Sequence, residues 1–262
     1  MWPIPTLLRS EVAACVITHA VDTKSTERRA TVLLFANGCS MTLGDELADP
    51  DNTSFPALIA NHFNLRLHNA ARSGSSNCRI LRTTLLWIAE YLGTGGQPEE
   101  LFVVIGWTAP DRREIGQSYE EGAPDPDVFW RNIFLHCQLA DATPDLVHLH
   151  KLIIRSFWCD RESMTRFLIA ANAVQGVLKS HGIRHCFLHA MPIGLVHPEL
   201  SPLVSAIDTK RFFRFLEPQN DFLSVSHDPW HVQIGSLGHP LEEGHRRWSA
   251  LLIGYIVQEC LL

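Results

Sequence analysis

The sequence predicts an α/β fold, a three-layer α/β/α sandwich of the flavodoxin-like kind around a mainly parallel central sheet. Short apolar runs alternate with longer amphipathic stretches, which is the pattern of βαβ units. The 262 residues are 46% hydrophobic, enough for one large core, and no Gly/Ser linker or internal repeat divides them. We therefore expect an N-terminal extension at 1–30 and a single domain at 31–262, with a variable helical and loop region at about 116–237.

Hydrophobic periodicity locates the individual elements. Apolar runs predict strands at 31–36, 65–69, 101–106 and 184–190. Amphipathic spacing predicts helices at 54–64, 77–91, 127–140, 143–156, 161–181 and 241–257. The segment 191–237 shows no sustained period, so we expect loops there with one short helix at about 206–216.

Charge and cysteine usage exclude several classes of partner. The formal net charge is −6 and no stripe of Lys and Arg is present, which argues against a nucleic-acid surface. No apolar run reaches the roughly 18–20 residues of a membrane span, and the N-terminus lacks the basic leader of a secretory signal. Seven scattered cysteines without a Cys-x-x-Cys pair are typical of a reducing compartment, so we expect a cytoplasmic protein.

Ser40 is the first candidate for chemistry. It lies in the small-residue turn Gly38-Cys39-Ser40-Met41-Thr42, directly after the first predicted strand. Open α/β sheets bind their ligands at the carboxyl ends of the strands, where this turn would present one hydroxyl. Ser40 is therefore a candidate nucleophile, although Asn, Gly and Ser also form ordinary turns.

A serine hydroxyl needs a base to accept its proton, and His239 is placed to be that base. It lies in a loop just before Pro240 and the last predicted helix, where the chain returns to the same sheet edge. Two other strand ends offer oxyanion donors: the backbone N–H of Gly74, joining that of Ser40, and the side chain of Thr108. A structural His-Pro turn is the alternative interpretation of His239.

Other polar residues at the strand ends are candidate substrate contacts. Arg112 and Arg113 follow the third strand beside Trp107, itself a candidate substrate contact, and a guanidinium there could hold a carboxylate or phosphate. Asn37 and Asn77 are further candidate donors. The histidine pairs at 148/150, 185/189 and 227/231 do not fall on helices as i, i+4 ligand pairs, so we expect no metal and no other cofactor.

In chain order, these blocks resemble the SGNH (GDSL-like) hydrolase family. Gly38-Cys39-Ser40 is similar to its Gly-x-Ser nucleophile block, and Asn69 to Gly74 to its Asn-x-Ala-x-x-Gly block. Gly106-Trp107-Thr108 is a partial match to Gly-x-Asn-Asp, and Ser236 to Pro240 to Asp-x-x-His-Pro. The resemblance covers roughly 31–110 and 230–260 and implies a Ser40/His239 site.

Two positions depart from the family pattern. Thr108 stands where the family has its oxyanion-hole Asn, so Asn37 or Asn77 is a possible substitute donor. Ser236 stands where the family has the acid that orients the histidine. The group that holds the ring would then be Ser236 itself, Asp228 or a backbone carbonyl.

The resemblance implies a serine-dependent acyl-ester hydrolase acting on an ester or thioester of a small molecule or a sugar. An acyltransferase of the same fold differs only in the group that accepts the acyl chain. Because of the two departures, a catalytically weak binding or scaffolding protein is the third interpretation.

Overall fold

The central sheet forms from the four predicted apolar runs. The computed structural model describes residues 32–116, 130–133, 143–194, 196–217 and 220–262. Its strands are β1 (Leu33–Asn37), β2 (Arg66–Asn69), β3 (Leu101–Trp107), β4 (Arg113–Gly116), β5 (Trp130–Ile133) and β6 (Arg184–His189). β2, β1, β3 and β6 lie side by side in that order, all parallel, which confirms the predicted sheet.

Helices cover both faces of this sheet. The described α-helices are α1 (Ser40–Leu43), α2 (Pro50–Thr53), α3 (Phe55–Phe63), α4 (Asn77–Gly93), α5 (Pro144–Leu152), α6 (Asp160–Ser180), α7 (Ser201–Ser205), α8 (Phe222–His227) and α9 (Glu242–Gln258). A π-helical turn, Ile153–Phe157, follows α5. None of the helices in these ranges is long and apolar enough to cross a bilayer.

Successive strand residues point to opposite faces of the sheet, so the hydrophobic core has two halves, one on each face. Phe35 and Val103 pack with α4 and α6, whereas Leu34 and Phe102 pack with α3 and α9. Phe167 of α6 is fully buried in the half of the core that contains Phe35, and Trp248 of α9 is fully buried in the half that contains Leu34. The three layers predicted from the sequence are therefore present.

Two of the predicted elements are wrong where the structure describes them. Trp130–Ile133, inside the helix expected at 127–140, is the strand β5, which pairs antiparallel with β4. The helix expected at 206–216 is a single 3₁₀ turn, Thr209–Arg211, and the segment 191–237, where only that one helix was expected, contains α7 and α8 instead. Beyond the 3₁₀ turn the Phe213 N–H donates to the Phe187 carbonyl at 2.8 Å, so the chain there extends the sheet edge. The expected extension at 1–30 and the rest of 127–140 lie outside the described residues.

Candidate active site

The loops that follow β1 and β2 are held together at the carboxyl edge of the sheet. The Arg72 N–H donates to the Gly38 carbonyl at 3.2 Å, and the Ser73 hydroxyl donates to the carboxylate of Asp45. These bonds fix the segment around Ser40 beside the loop that contains Gly74.

Ser40 is the first residue of α1. The Gly44 and Asp45 N–H groups both donate to its carbonyl, at 2.9 and 3.1 Å, which closes the chain into a tight turn. Ser40 is 6% exposed, and its hydroxyl has no hydrogen-bond partner among the described residues, His239 included.

Two glycines make room for the Ser40 turn. A Cβ on Gly38 would overlap the Thr42 side chain and lie 2.8 Å from the Gly106 carbonyl oxygen. A Cβ on Gly106 would overlap the Thr42 hydroxyl. The turn after β1 therefore approaches β3 more closely than any side chain at 38 or 106 would allow.

His239 is bound to Glu46, a residue that the sequence did not suggest. Nδ1 of His239 lies 2.9 Å from Oε2 of Glu46. Glu46 follows α1 closely along the chain, so the carboxylate belongs to the same turn region as Ser40. Ser40 and His239 therefore lie on the two segments that Glu46 joins.

The carboxylate of Glu46 has several donors around it. The Leu237 N–H donates to Oε1 at 2.9 Å, and the His239 N–H donates to Oε2 at 3.2 Å. Partial burial raises the pKa of Glu46, but these N–H groups, the His239 ring and the Ser236 hydroxyl lower it by more, to about 2. Glu46 is therefore an anion at neutral pH.

This charge state fixes the tautomer of His239. An ionised carboxylate can only accept hydrogen bonds, so Nδ1 of His239 carries the proton that Glu46 accepts. In the neutral ring the lone pair then lies on the other nitrogen, Nε2, which is the tautomer that a general base requires.

The expected holders of the histidine ring were wrong. Ser236 contacts Glu46 and not the ring, since its hydroxyl donates to Oε1 at 3.0 Å. Asp228 ends α8, where its N–H donates to the Ser224 carbonyl. The group beside Nδ1 is the carboxylate of Glu46.

Gly74 is a half-buried turn residue in the left-handed conformation, with a φ of +71°. Among the described residues its N–H has no acceptor. Thr108, expected to be an oxyanion donor, is fully buried, and its hydroxyl donates to the Met191 sulfur at 3.3 Å. That expectation was wrong, because the Thr108 hydroxyl is enclosed and already donates.

Asn37, Asn77 and Trp107 are structural and not substrate contacts, contrary to the expectation. The amide of Asn37 donates to Thr83 and Thr84, both at 2.9 Å, and so ties β1 to α4. Asn77 and the backbone of Thr108 exchange two hydrogen bonds of 3.0 Å. Trp107 is fully buried against Phe167 and Phe187. None of the three side chains is available to a ligand.

The two arginines differ in their surroundings. Arg113 forms a 2.6 Å ion pair with Glu162 and stacks over Trp158, so the expectation that it holds a substrate anion was wrong. Arg112 donates to the Ser75 carbonyl at 3.4 Å, on the loop that carries Gly74. Its contact with substrate stays a prediction.

The remaining candidates concern metal binding. His185 and His189 both lie on β6 and are buried. In the part of the chain that the structure describes, no three His, Cys, Asp or Glu side chains are grouped as metal ligands.

A family model described as a family of unknown function, DUF6071, matches residues 44–262. The chain belongs to the DUF6071 family. Glu46 and His239 lie inside the matched range, and Ser40 lies just before it. No curated protein matches the sequence.

Solved structures similar to this DUF6071 chain include several esterases. One is a carbohydrate esterase family 2 enzyme with a carbohydrate-binding domain from Corynascus thermopiles (Myceliophthora fergusii), at 12% identity and a TM-score of 0.50, covering 87% of this chain and 66% of that one. TesA has 13% identity and a TM-score of 0.49, with 87% and 99% covered. A member of the lipolytic G-D-S-L family from Veillonella parvula has 11% identity and a TM-score of 0.46, with 87% and 97% covered. At such identities the likeness concerns the fold alone, and the predicted α/β fold around a parallel central sheet is confirmed.

Proposed function

We propose that this protein is a serine-dependent acyl-ester hydrolase with Ser40 as nucleophile and His239 as base. The observation that carries the proposal is the contact between Glu46 and His239, because it attaches a histidine with a free Nε2 to the turn region that carries Ser40. The shared fold supports the same class of reaction.

The reaction has two steps. Ser40 Oγ attacks the ester carbonyl carbon while His239 Nε2 takes its proton, and the backbone N–H groups of Ser40 and Gly74 receive the oxyanion. His239 then gives the proton to the departing alcohol as the carbon–oxygen bond breaks. A water molecule, deprotonated by His239, then attacks the acyl carbon of the acyl-serine. As the bond between that carbon and Ser40 Oγ breaks, His239 returns the proton to Oγ, which releases the carboxylic acid and restores Ser40.

A cavity with a volume of about 460 Å³ lies between the loops after β3 and β6 and the start of α6. Pro110, Met164 and Ile193 give it apolar walls, and Asp111 and Asp160 give it two acidic groups. Neither Ser40 nor His239 lines this cavity.

A cytoplasmic location is part of this proposal. The described cysteines are free thiols: Cys39, Cys78, Cys159, Cys186 and Cys260. Free thiols are typical of a reducing compartment.

The test is turnover of p-nitrophenyl acetate, p-nitrophenyl butyrate and an acetylated sugar by the purified protein. Ser40→Ala lowers kcat by at least about 10³-fold and leaves the melting temperature within a few degrees. Cys39→Ala is the matched control, since Cys39 is fully buried beside Ser40, and it keeps activity within about threefold. Folded wild-type protein that hydrolyses none of these esters, or a Ser40→Ala variant as active as wild type, overturns the proposal and favours a binding protein.

A further inference from the structure

Glu46 occupies the place beside His239 that the histidine's own loop leaves without an acid. We infer that Glu46 is the positioning residue of His239, supplied by the turn region that carries Ser40 and not by the loop that carries His239. The inference rests on the proposed function and assigns a role that Ser236 and Asp228 do not fill. Its geometric basis is the 2.9 Å contact between Nδ1 and Oε2.

The loop at 234–240 is shaped around a carboxylate. The Gly235 N–H donates to the His239 carbonyl at 2.8 Å, which closes the loop and turns other N–H groups towards Glu46. A Cβ on Gly235 would lie 2.5–2.6 Å from the carboxyl atoms of Glu46. Any side chain at position 235 would therefore displace the carboxylate.

The backbone of Glu46 is held in an uncommon conformation. Its φ is +67°, in the left-handed region that L-residues other than Asn and Asp rarely adopt. This conformation costs on the order of 1 kcal/mol, and the surrounding hydrogen bonds offset that cost. A strained residue whose side chain meets a candidate catalytic histidine indicates a functional position.

The Ser236 hydroxyl and the Glu46 carboxylate together take the place of a single acid at position 236. The Ser236 hydroxyl donates to Oε1 of Glu46 at 3.0 Å, so the two side chains meet. The side chain at position 236 therefore lies next to the carboxylate that contacts Nδ1 of His239, which makes position 236 the place to introduce a second carboxylate. Carboxylates at both positions would repel each other.

The first test removes the charge and keeps the shape. Glu46→Gln lowers kcat by roughly 10²–10⁴-fold and leaves KM within about threefold, because a neutral amide stabilises the imidazolium poorly. Glu242→Gln is the matched control. Glu242 is an acid in the first turn of α9, three residues after His239, and its carboxylate accepts from the Ala48 N–H at 3.5 Å without touching the ring. Equal kcat in the two folded variants overturns the inference.

The second test moves the carboxylate to the other position. Glu46→Ala is expected to be as impaired as Glu46→Gln, and the double variant Glu46→Ala/Ser236→Asp is expected to recover at least about tenfold in kcat. Ser236→Asp alone loses stability, since two carboxylates then share one site. A folded double variant no more active than Glu46→Ala contradicts the inference.

The third test does not depend on turnover. NMR of the His239 ring, assigned by comparison with His239→Gln, detects the Nδ1 proton that Glu46 accepts. Its resonance moves upfield in Glu46→Gln, because the hydrogen bond to a charged acceptor is lost, and stays in place in Glu242→Gln. An unmoved resonance in Glu46→Gln overturns the inference even if the enzyme is active, whereas a moved resonance in a protein without turnover supports the inference and contradicts the proposed function.

Discussion

Nδ1 of His245 accepts a hydrogen bond from the Phe55 N–H at 3.0 Å. This bond joins the first turn of α9 to the start of α3. His245 is 1% exposed, and burial, with a smaller contribution from nearby His239, lowers its pKa from 6.5 to about 3. His245 is therefore neutral and structural, although it lies only six residues after His239.

Substitutions of the two neighbouring histidines are expected to have opposite effects: one removes activity and the other removes stability. His239→Ala lowers kcat by at least about 10³-fold with little change in the melting temperature. His245→Ala leaves a cavity and an unpaired Phe55 N–H, which costs about 2–4 kcal/mol of unfolding free energy. Ester turnover and thermal unfolding of both variants check this prediction. A loss of activity in both variants at unchanged stability contradicts it.

The glycines around Thr42 give a prediction with an internal control. Gly106→Ala and Gly38→Ala both destabilise the fold, by on the order of 1–3 kcal/mol, because the new Cβ overlaps Thr42. Thr42→Ala should restore the stability of Gly106→Ala, because the remaining neighbours of the new Cβ lie at 3.5 Å or more. It should not rescue Gly38→Ala, whose Cβ would still lie 2.6 Å from Cβ of residue 42. Urea unfolding of the single and double variants measures this, and equal rescue of both glycine variants would contradict the packing described.

Three buried histidines predict that the fold loses stability as the pH is lowered. Burial lowers the pKa of His185 to about 4 and those of His189 and His245 to about 3. The unfolded chain binds these protons below pH 6.5, whereas the folded chain does not. The free energy of unfolding is therefore highest above pH 6.5 and decreases as the pH falls towards 4. The decrease is up to about 1.4 kcal/mol per pH unit for each histidine.

Urea unfolding between pH 7.5 and 4.5 measures this loss. His185→Phe reduces the pH slope by about one proton. An unfolding free energy that does not change between pH 7.5 and 4.5 contradicts the prediction.

The sheet could be predicted because its strands carry strong local signals. Leu101–Trp107 is a continuous buried run, and the helices around it have clear amphipathic spacing. The β4–β5 hairpin could not be predicted, because Arg113–Gly116 and Trp130–Ile133 are short and become strands only by pairing with each other. Pairing across intervening chain leaves no local pattern.

For the candidate site, the sequence predicted only the residues that lie in recognisable motifs. Ser40 and His239 lie in recognisable turns, but Glu46 and His239 are 193 residues apart in sequence. The available signal was an acid just after the serine turn, together with the missing acid at 236. Asn77 misled for a related reason: a polar side chain at a strand end can bind a ligand or a neighbouring backbone, and here it binds Thr108.

The most direct test of the central claim is covalent labelling of the folded protein with a fluorophosphonate, followed by peptide mass spectrometry. An activated serine attacks the phosphorus and keeps the phosphonyl group, and an ordinary serine does not react. If Ser40 is the nucleophile, one adduct forms, on Ser40, that is absent from Ser40→Ala and from heat-denatured wild type, and that forms far more slowly in His239→Ala. No adduct on the folded wild-type protein, or an adduct on a residue other than Ser40, would contradict it.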